Sequence, residues 1–248
     1  MILEIDIGNS RLKWRRLANN SNEVISRGIS IDTHSFIAEQ ASCERPSTVR
    51  LSNVADRKTS STIANWTQVN WNIQPVEAIV CAECSGVKIQ YKDARRLGVD
   101  RWLAMLAAYN KSNGPCLVMD SGTAFTLDVI NEEGLHLGGF ILPGLRLMRE
   151  SLVSQTGIWL ENQVLKPTLE LGNSTQEAVF NGGAASLVAL AEKEIEELRE
   201  KGLKPNVFIT GGDAGVLENL LTYPKSKIEE DLVLDGLSLG CQGMSDSD

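Results

Sequence analysis

One design occurs twice in this chain, and it limits what the chain can fold into. An apolar strand runs into Asp-x-Gly, a small polar residue follows, and a second strand returns. In the first copy Leu3, Ile5 and Ile7 alternate with Glu4 and Asp6. The loop is Gly8-Asn9-Ser10, and Leu12 and Trp14 then alternate with Arg11, Lys13 and Arg15. Gly-Asn suits a hairpin turn with positive φ. Glycine also lets a ligand approach the backbone closely, and successive amide N–H groups can cradle an anion. Ser10 and Lys13 add a donor and a charge, and Lys13, on the strand face away from Leu12 and Trp14, can reach a β- or γ-phosphate. Asp6 would repel a phosphate unless a cation lies between them, so the cluster points to a metal–nucleotide site. An ordinary hairpin accounts for one such copy equally well. The second copy changes the balance: Cys116 to Ile130 repeats strand, Asp120-Ser121-Gly122-Thr123, strand, nearly half the chain further on. Two copies predict two similar lobes, each presenting a phosphate loop to a shared cleft.

Composition narrows the class. With 248 residues, 42% of them hydrophobic, the chain can bury a substantial core. A net charge of −8 without a basic patch disfavours nucleic acid as a partner. Glu4 and Asp6 interrupt the early apolar run, which therefore does not read as a signal peptide, and no apolar stretch is long enough to span a membrane. A cytoplasmic protein is expected. Five scattered cysteines argue for reduced thiols. Cys81-Ala82-Glu83-Cys84 is formally a C-x-x-C, but no second pair exists and the histidines are only His34 and His136. The expected reading is packing at the end of a strand over Val76 to Cys81, with neither zinc nor redox chemistry.

The remaining pattern fits an α/β chain of two ribonuclease-H-like lobes, with a polar, breaker-rich boundary at Asn110 to Pro115 separating 1–113 from 114–248. In the first lobe a third strand is expected over Glu23 to Ile31 and a strand over Val49 to Val54. Helices are expected over Ser35 to Ala41, Thr59 to Trp66 and Arg101 to Tyr109, the last with Trp102, Met105, Leu106 and Tyr109 on one face. In the second, helices are expected over Leu145 to Thr156, Thr175 to Leu198, Ala214 to Leu221 and Leu232 to Leu239, with a strand over Val207 to Thr210. The tail from Met244 to Asp248 should fray.

Two further stretches carry chemistry. Thr210-Gly211-Gly212-Asp213 follows a strand and opens a helix; its glycines let backbone lie against a nucleoside, and the helix start favours negative charge. A plain turn with Asp213 as N-cap is the alternative. In Tyr91 to Trp102, Gly98 permits close backbone approach, Asp100 can accept a proton and Arg101 can grip a carboxylate with two hydrogen bonds. Asp100 can also simply cap the helix. No Gly-x-Ser-x-Gly nucleophile turn, Walker loop or dinucleotide fingerprint is present.

These motifs, in order, resemble a family. Asp6-Ile7-Gly8-Asn9-Ser10, Leu97-Gly98-Val99-Asp100-Arg101-Trp102, Asp120-Ser121-Gly122-Thr123-Ala124, Gly138 to Gly144 and Thr210-Gly211-Gly212-Asp213-Ala214 are similar to those of the type III pantothenate kinases. That family lies within the superfamily of actin, sugar kinases and heat-shock ATPases. The resemblance implies ATP-dependent phosphorylation of pantothenate, the first step toward coenzyme A. It implies ATP contacts from Asp6, Ile7, Gly8, Asn9, Ser10, Arg11, Leu12, Lys13, Thr123, Gly211 and Gly212. It places pantothenate on Tyr91, Gly98, Val99, Asp100, Arg101 and Thr175, although Thr175 also looks like an N-cap. Asp6 would orient Mg2+, and Asp120 would bind a monovalent cation, K+ or NH4+, unless it only stabilises its turn. With those two carboxylates occupied, Asp100 is the remaining carboxylate of the acceptor motif and the expected general base. A homodimer is implied, with the face of Trp102 and Tyr109 as a candidate contact if it is not internal core. One departure stands out: Ala94 replaces a proline often found three residues after the tyrosine, which puts the rigidity of that loop in question. The rival readings are a non-catalytic nucleotide-binding regulator of the same fold and a kinase for another small hydroxy acid or sugar.

Overall fold

A computed structural model describes residues 1–19, 21, 23–112, 114–163 and 165–241. Asn20 and Asn22 of the first polar turn, Asn113 of the expected boundary and the expected frayed tail lie outside them.

The chain forms two compact units. The first comprises Met1–Ser85, Tyr91–Ala107 and the stretch from Leu232 onward; the second comprises Gly86–Gln90 and Ala108–Asp231. The units interleave along the sequence, because the C-terminal helix groups with the N-terminal strands.

In unit one, β1 (Ile2–Ile7), β2 (Leu12–Leu17) and β3 (Val24–Ser30) form an antiparallel meander. β4 (Thr48–Asn53) then adds parallel to β1, and β5 (Val76–Glu77) parallel to β4, giving the order β3-β2-β1-β4-β5. The alternation of β1 decides its two faces. Leu3, Ile5 and Ile7 are fully buried and pack with Phe36 of α1 (Thr33–Ala41) and with Ile63 and Trp71 of α2 (Arg57–Trp71). α1 starts where the Asp32 carboxylate accepts the Ser35 amide, and α2 where Asp56 accepts that of Thr59. The opposite face carries Glu4, Asp6 and, from β2, Lys13 and Arg15. There Glu4 is fully buried and bonded to Arg15 Nε at 2.7 Å and to Arg50 at 3.2 Å, while Arg15 also grips Asp235 of α7 (Leu232–Gly240). β6 (Glu83–Cys84) closes this part of the chain.

The expected strand through Cys81 is therefore too long: β5 ends at Glu77, and Cys81 sits in an irregular connection with its thiol donating to the Glu83 carbonyl. α2 runs beyond the expected end at Trp66, and its cap, Asn72, adopts φ 53°.

Unit two repeats the plan. β8 (Cys116–Ser121), β9 (Ala124–Ile130) and β10 (Leu135–Pro143) form the antiparallel meander, β11 (Asn206–Thr210) adds parallel to β8, and β12 (Ser226–Ile228) parallel to β11. The order β10-β9-β8-β11-β12 is the order of unit one with a new set of strands. β7 (Val87–Ile89) extends it beyond β10. The 26-residue α5 (Thr175–Glu200) lays Ala184, Leu187, Val188 and Ala191 on the core face with α4 (Leu145–Gln155) and α6 (Ala214–Leu220) beside it. β7 and β12 are absent from the sequence reading; each is three residues long, below what periodicity resolves.

α3 (Val99–Ser112) is buried from Arg101 through Ala108. Trp102 is 0% exposed, so it belongs to the interior of the chain and offers nothing to a partner. Among the described residues no helix is long and apolar enough to cross a membrane.

Candidate active site

In unit one the candidate residues gather at the end of β1. Asp6 stands in register with Lys13 of β2 on one side and with Ser52 of β4 on the other. The Ser52 hydroxyl donates to Asp6 Oδ1 at 2.5 Å. Burial pushes the Asp6 carboxyl above the usual carboxylate range, the Ser52 hydrogen bond opposes this, the charge of Asp100 adds to it, and Lys13 opposes it more weakly. Lys13 thus shares the face of Asp6, as the alternation required.

The loop after β1 differs from the expected turn. Neither Gly8 nor Asn9 adopts positive φ. Gly8 donates to the Arg11 carbonyl at 3.1 Å, and a Cβ on it would lie 3.1 Å from that same oxygen, so tight closure is what favours glycine here. Asn9, Ser10 and Arg11 are exposed, whereas Ile7 and Leu12 are core side chains. Those two can offer a ligand only their backbone.

The acceptor motif lies in the first turn of α3. The helix begins at Val99, two residues earlier than expected, so Asp100 and Arg101 are helical residues and Asp100 does not precede the helix as its cap. Asp100 Oδ1 accepts the Arg101 amide at 2.7 Å. It lies 2.6 Å from where a Cβ on Gly98 would stand, so the carboxylate folds over the glycine. Arg101 is only 7% exposed, and its Nη1 donates to the Tyr91 hydroxyl at 3.4 Å. The loop between them holds a 3-10 turn, Ala94–Arg96, with the Asp93 carboxylate accepting the Arg95 amide at 3.2 Å and pairing with Arg95 Nε at 2.9 Å.

In unit two, three loops meet. The hairpin closes with Gly122 donating to the Ala124 carbonyl at 3.0 Å. The Asp213 amide donates to the Ser121 carbonyl at 2.9 Å, and the Gly144 amide to the Thr123 carbonyl at 2.9 Å. Gly211, at φ +93°, sits so close that a Cβ would lie 2.4 Å from the Ser121 oxygen and 2.5 Å from Asp120 Oδ1. A Cβ on Gly144 would lie 2.0 Å from the Gly122 oxygen. The structure therefore brings Asp120, Thr123 and Gly211 together, with Gly212 exposed at the rim. Asp213 is at the start of α6 without a side-chain capping bond. Beside it, Leu145, Arg149, Phe180, Asp213 and Val216 line a cavity of about 120 Å³, with the Arg149 guanidinium 4.4 Å above the Phe180 ring. Thr175 is exposed in the first turn of α5, and the N-cap is its neighbour Ser174, whose hydroxyl accepts the Glu177 amide.

Two contributors are missing from the sequence reading. Ser52 looks like an ordinary strand-end serine until the parallel register of β4 sets it against Asp6. Gly144 stands inside a quoted motif, but its seat on the Gly122–Thr123 backbone depends on a tertiary contact.

Asp6, with a second carboxylate in its field, and Asp120 are hard oxygen donors that could hold cations.

A family model described as type III pantothenate kinase matches residues 2–197. The type III pantothenate kinase of Pseudomonas fluorescens is 37% identical over 249 residues, covering 97% of this chain and 99% of its own. That of Pseudomonas putida is 35% identical over 97% of this chain and 99% of its own. Among solved structures, a Campylobacter jejuni protein described as a conserved Baf family transcriptional activator aligns with a TM-score of 0.57 at 22% identity, over 95% of both chains. A 2-dehydro-3-deoxygalactonokinase from Sinorhizobium meliloti aligns at 0.54 and 13% identity, over 96% of this chain and 97% of its own. These likenesses show the fold. The family match and the near-full-length relatives go further: this chain belongs to the type III pantothenate kinases.

Proposed function

We infer a division of labour among this chain's residues for the family's reaction, transfer of the ATP γ-phosphate to pantothenate to give 4′-phosphopantothenate. The observation that carries it is the first turn of α3. A buried arginine, bonded to a tyrosine, stands next to a carboxylate folded over a glycine. Pantothenate has a carboxylate at one end and the reacting primary alcohol at the other. Arg101, with Tyr91, holds the carboxylate; Gly98 and Val99 let the substrate lie against backbone; in unit two, Thr175 is the residue offered to pantothenate. Asp100 orients the alcohol and takes its proton onto a carboxylate oxygen as the bond to phosphorus forms.

On the nucleotide side, the backbone of Ile7 to Leu12 in unit one, with Asn9, Ser10, Arg11 and Lys13, binds phosphate; in unit two, Thr123 is the residue offered to ATP. Gly211 and Gly212 offer flat backbone to the nucleoside. Asp6 holds Mg2+, and Asp120 holds K+ or NH4+. Magnesium, when bound, neutralises charge on the β- and γ-phosphate oxygens. We also propose a cytoplasmic homodimer with sequence lobes 1–113 and 114–248. Its contact uses a surface other than Trp102, which is interior; Ile141, Trp159 and Leu171 are among the exposed apolar side chains of unit two.

The test is an ADP-release assay over pantothenate and a panel of small hydroxy acids and sugars. Turnover with pantothenate far above the rest is expected. Preference for another acceptor, or nucleotide binding without turnover on pantothenate, would overturn the reading.

A further inference from the structure

Asp6 has a polar neighbour on each side, and only one of them is visible in the loop motif. Lys13 stands opposite it across the antiparallel β1–β2 pair. Ser52 reaches it across the parallel β1–β4 pair, from a side chain that is 0% exposed. A carboxylate on a strand end rotates freely about its last torsion unless one oxygen is fixed. Here Oδ1 is fixed by a 2.5 Å hydrogen bond from a hydroxyl sealed inside the sheet.

We propose that Ser52 is the positioning residue of Asp6: its buried hydroxyl holds Oδ1, fixes the orientation of the carboxylate, and so sets the affinity for magnesium-bound nucleotide. The inference rests on the reading of Asp6 as the magnesium carboxylate. It does not make Ser52 a catalytic residue, since Ser52 acts through Asp6. Residues that orient a metal-binding carboxylate typically change metal affinity by about 10–100-fold when removed.

The experiment measures binding of a non-hydrolysable ATP analogue by calorimetry, with and without Mg2+, on the full chain. The variants are Ser52→Ala, Ser52→Thr, Asp6→Asn and the Ser52→Ala/Asp6→Asn pair. Ser52→Ala should weaken the magnesium-dependent part of binding by about 10–100-fold and leave magnesium-free binding and the KM for pantothenate within about twofold. Ser52→Thr, which keeps the hydroxyl, should recover most of the loss. In the Asp6→Asn background, Ser52→Ala should cost nothing more. Equal loss with and without magnesium, or an additive double variant, would assign Ser52 a merely structural role and overturn the proposal, as would a Ser52→Ala enzyme with unchanged magnesium dependence. If Ser52→Ala does not fold, Ser52→Cys, a weak donor of similar size, takes its place with the same criteria. A wild-type enzyme that binds the analogue equally with and without magnesium would overturn the reading of Asp6 itself, a result separate from any behaviour of the variants.

Discussion

Gly211→Ala tests how the three loops that meet in unit two are held together. Gly211 has φ +93°, where an L side chain costs about 1–2 kcal/mol. The added methyl would stand 2.4 Å from the Ser121 oxygen, 2.5 Å from Asp120 Oδ1 and 2.6 Å from the Ser121 carbonyl carbon. Two of those atoms are backbone, so the loop and the hairpin must part by roughly 1 Å, an overpacking cost of about 1–3 kcal/mol. The 2.9 Å bond from the Asp213 amide to the Ser121 carbonyl goes with it, another 1 kcal/mol or so. The sum, about 3–6 kcal/mol, corresponds to a Tm lower by roughly 6–24 °C for a chain of this size. Analogue affinity should fall by on the order of 100-fold, since a displacement of 1 Å in positioned groups costs about that much. Gly215→Ala is the control. It lies four positions on, inside α6, and its Cβ would meet no atom within 4 Å. Alanine there should be neutral or stabilising by about 0.5–1 kcal/mol. Thermal melts and calorimetry on both variants decide the matter. A Gly211→Ala protein with the wild-type Tm and affinity would refute the packing of the Gly211 loop on the Asp120 hairpin.

Asp100→Asn is nearly isosteric and keeps an oxygen for the Arg101 amide, so kcat should fall about 10²–10⁴-fold with little change in Tm, whereas Arg101→Ala should chiefly raise the KM for pantothenate; a folded Asp100→Asn enzyme with near-normal kcat would remove Asp100 as the base. Gly98→Ala presses on the end of a flexible side chain, Asp100 Oδ1 at 2.6 Å, so its melting temperature should drop less than that of Gly211→Ala while kcat falls with the displaced carboxylate. Asp6→Asn removes a charge that burial and Asp100 disfavour, so the ligand-free protein should melt higher while magnesium-dependent nucleotide binding is lost. The sign follows from the raised pKa: an acid harder to ionise in the folded state than in the unfolded one destabilises the fold as pH rises through that window, so the gain in Tm should be larger at neutral pH than at pH 4. Turnover should collapse in a buffer whose only monovalent cation is Na+, with Mg2+ present; undiminished activity there would exclude a K+ or NH4+ role for Asp120.

Much of the fold was legible because the two meanders are made of alternating strands joined by short loops. Leu3, Ile5 and Ile7 declare their core face without any help from the rest of the chain, and Asp120 repeats the punctuation of Asp6. What was misread has physical causes. Val76 to Cys81 carries β-formers, but only Val76 and Glu77 find a ladder partner on β4, and Ile79 ends up 70% exposed. Trp102 and Tyr109 look like one side of an amphipathic helix, yet the helix is buried on every side from Arg101 to Ala108, so periodicity could not tell interior from interface. Thr175 lost the cap to Ser174 by one residue, within the usual uncertainty of helix ends.

The site was legible to the extent that its residues are neighbours in sequence. Gly98, Asp100 and Arg101 are, and their geometry follows from one helical turn. The environment of Asp6 is not of that kind. Lys13 could be placed because a hairpin fixes its own register: Asp6 pairs with Lys13 once the loop length is known. Ser52 arrives through a crossover connection that includes β3 and α1, and a parallel strand carries no local turn from which its register can be counted. A shift of one residue would have turned Leu51 or Asn53 toward Asp6 and Ser52 into the apolar layer. Val49 and Leu51, fully or nearly buried against α1 and α2, exclude that slip. The core residues of β4 therefore set which side chain meets the Asp6 carboxylate, so that the same alternation that seals the fold also places the Ser52 hydroxyl against it.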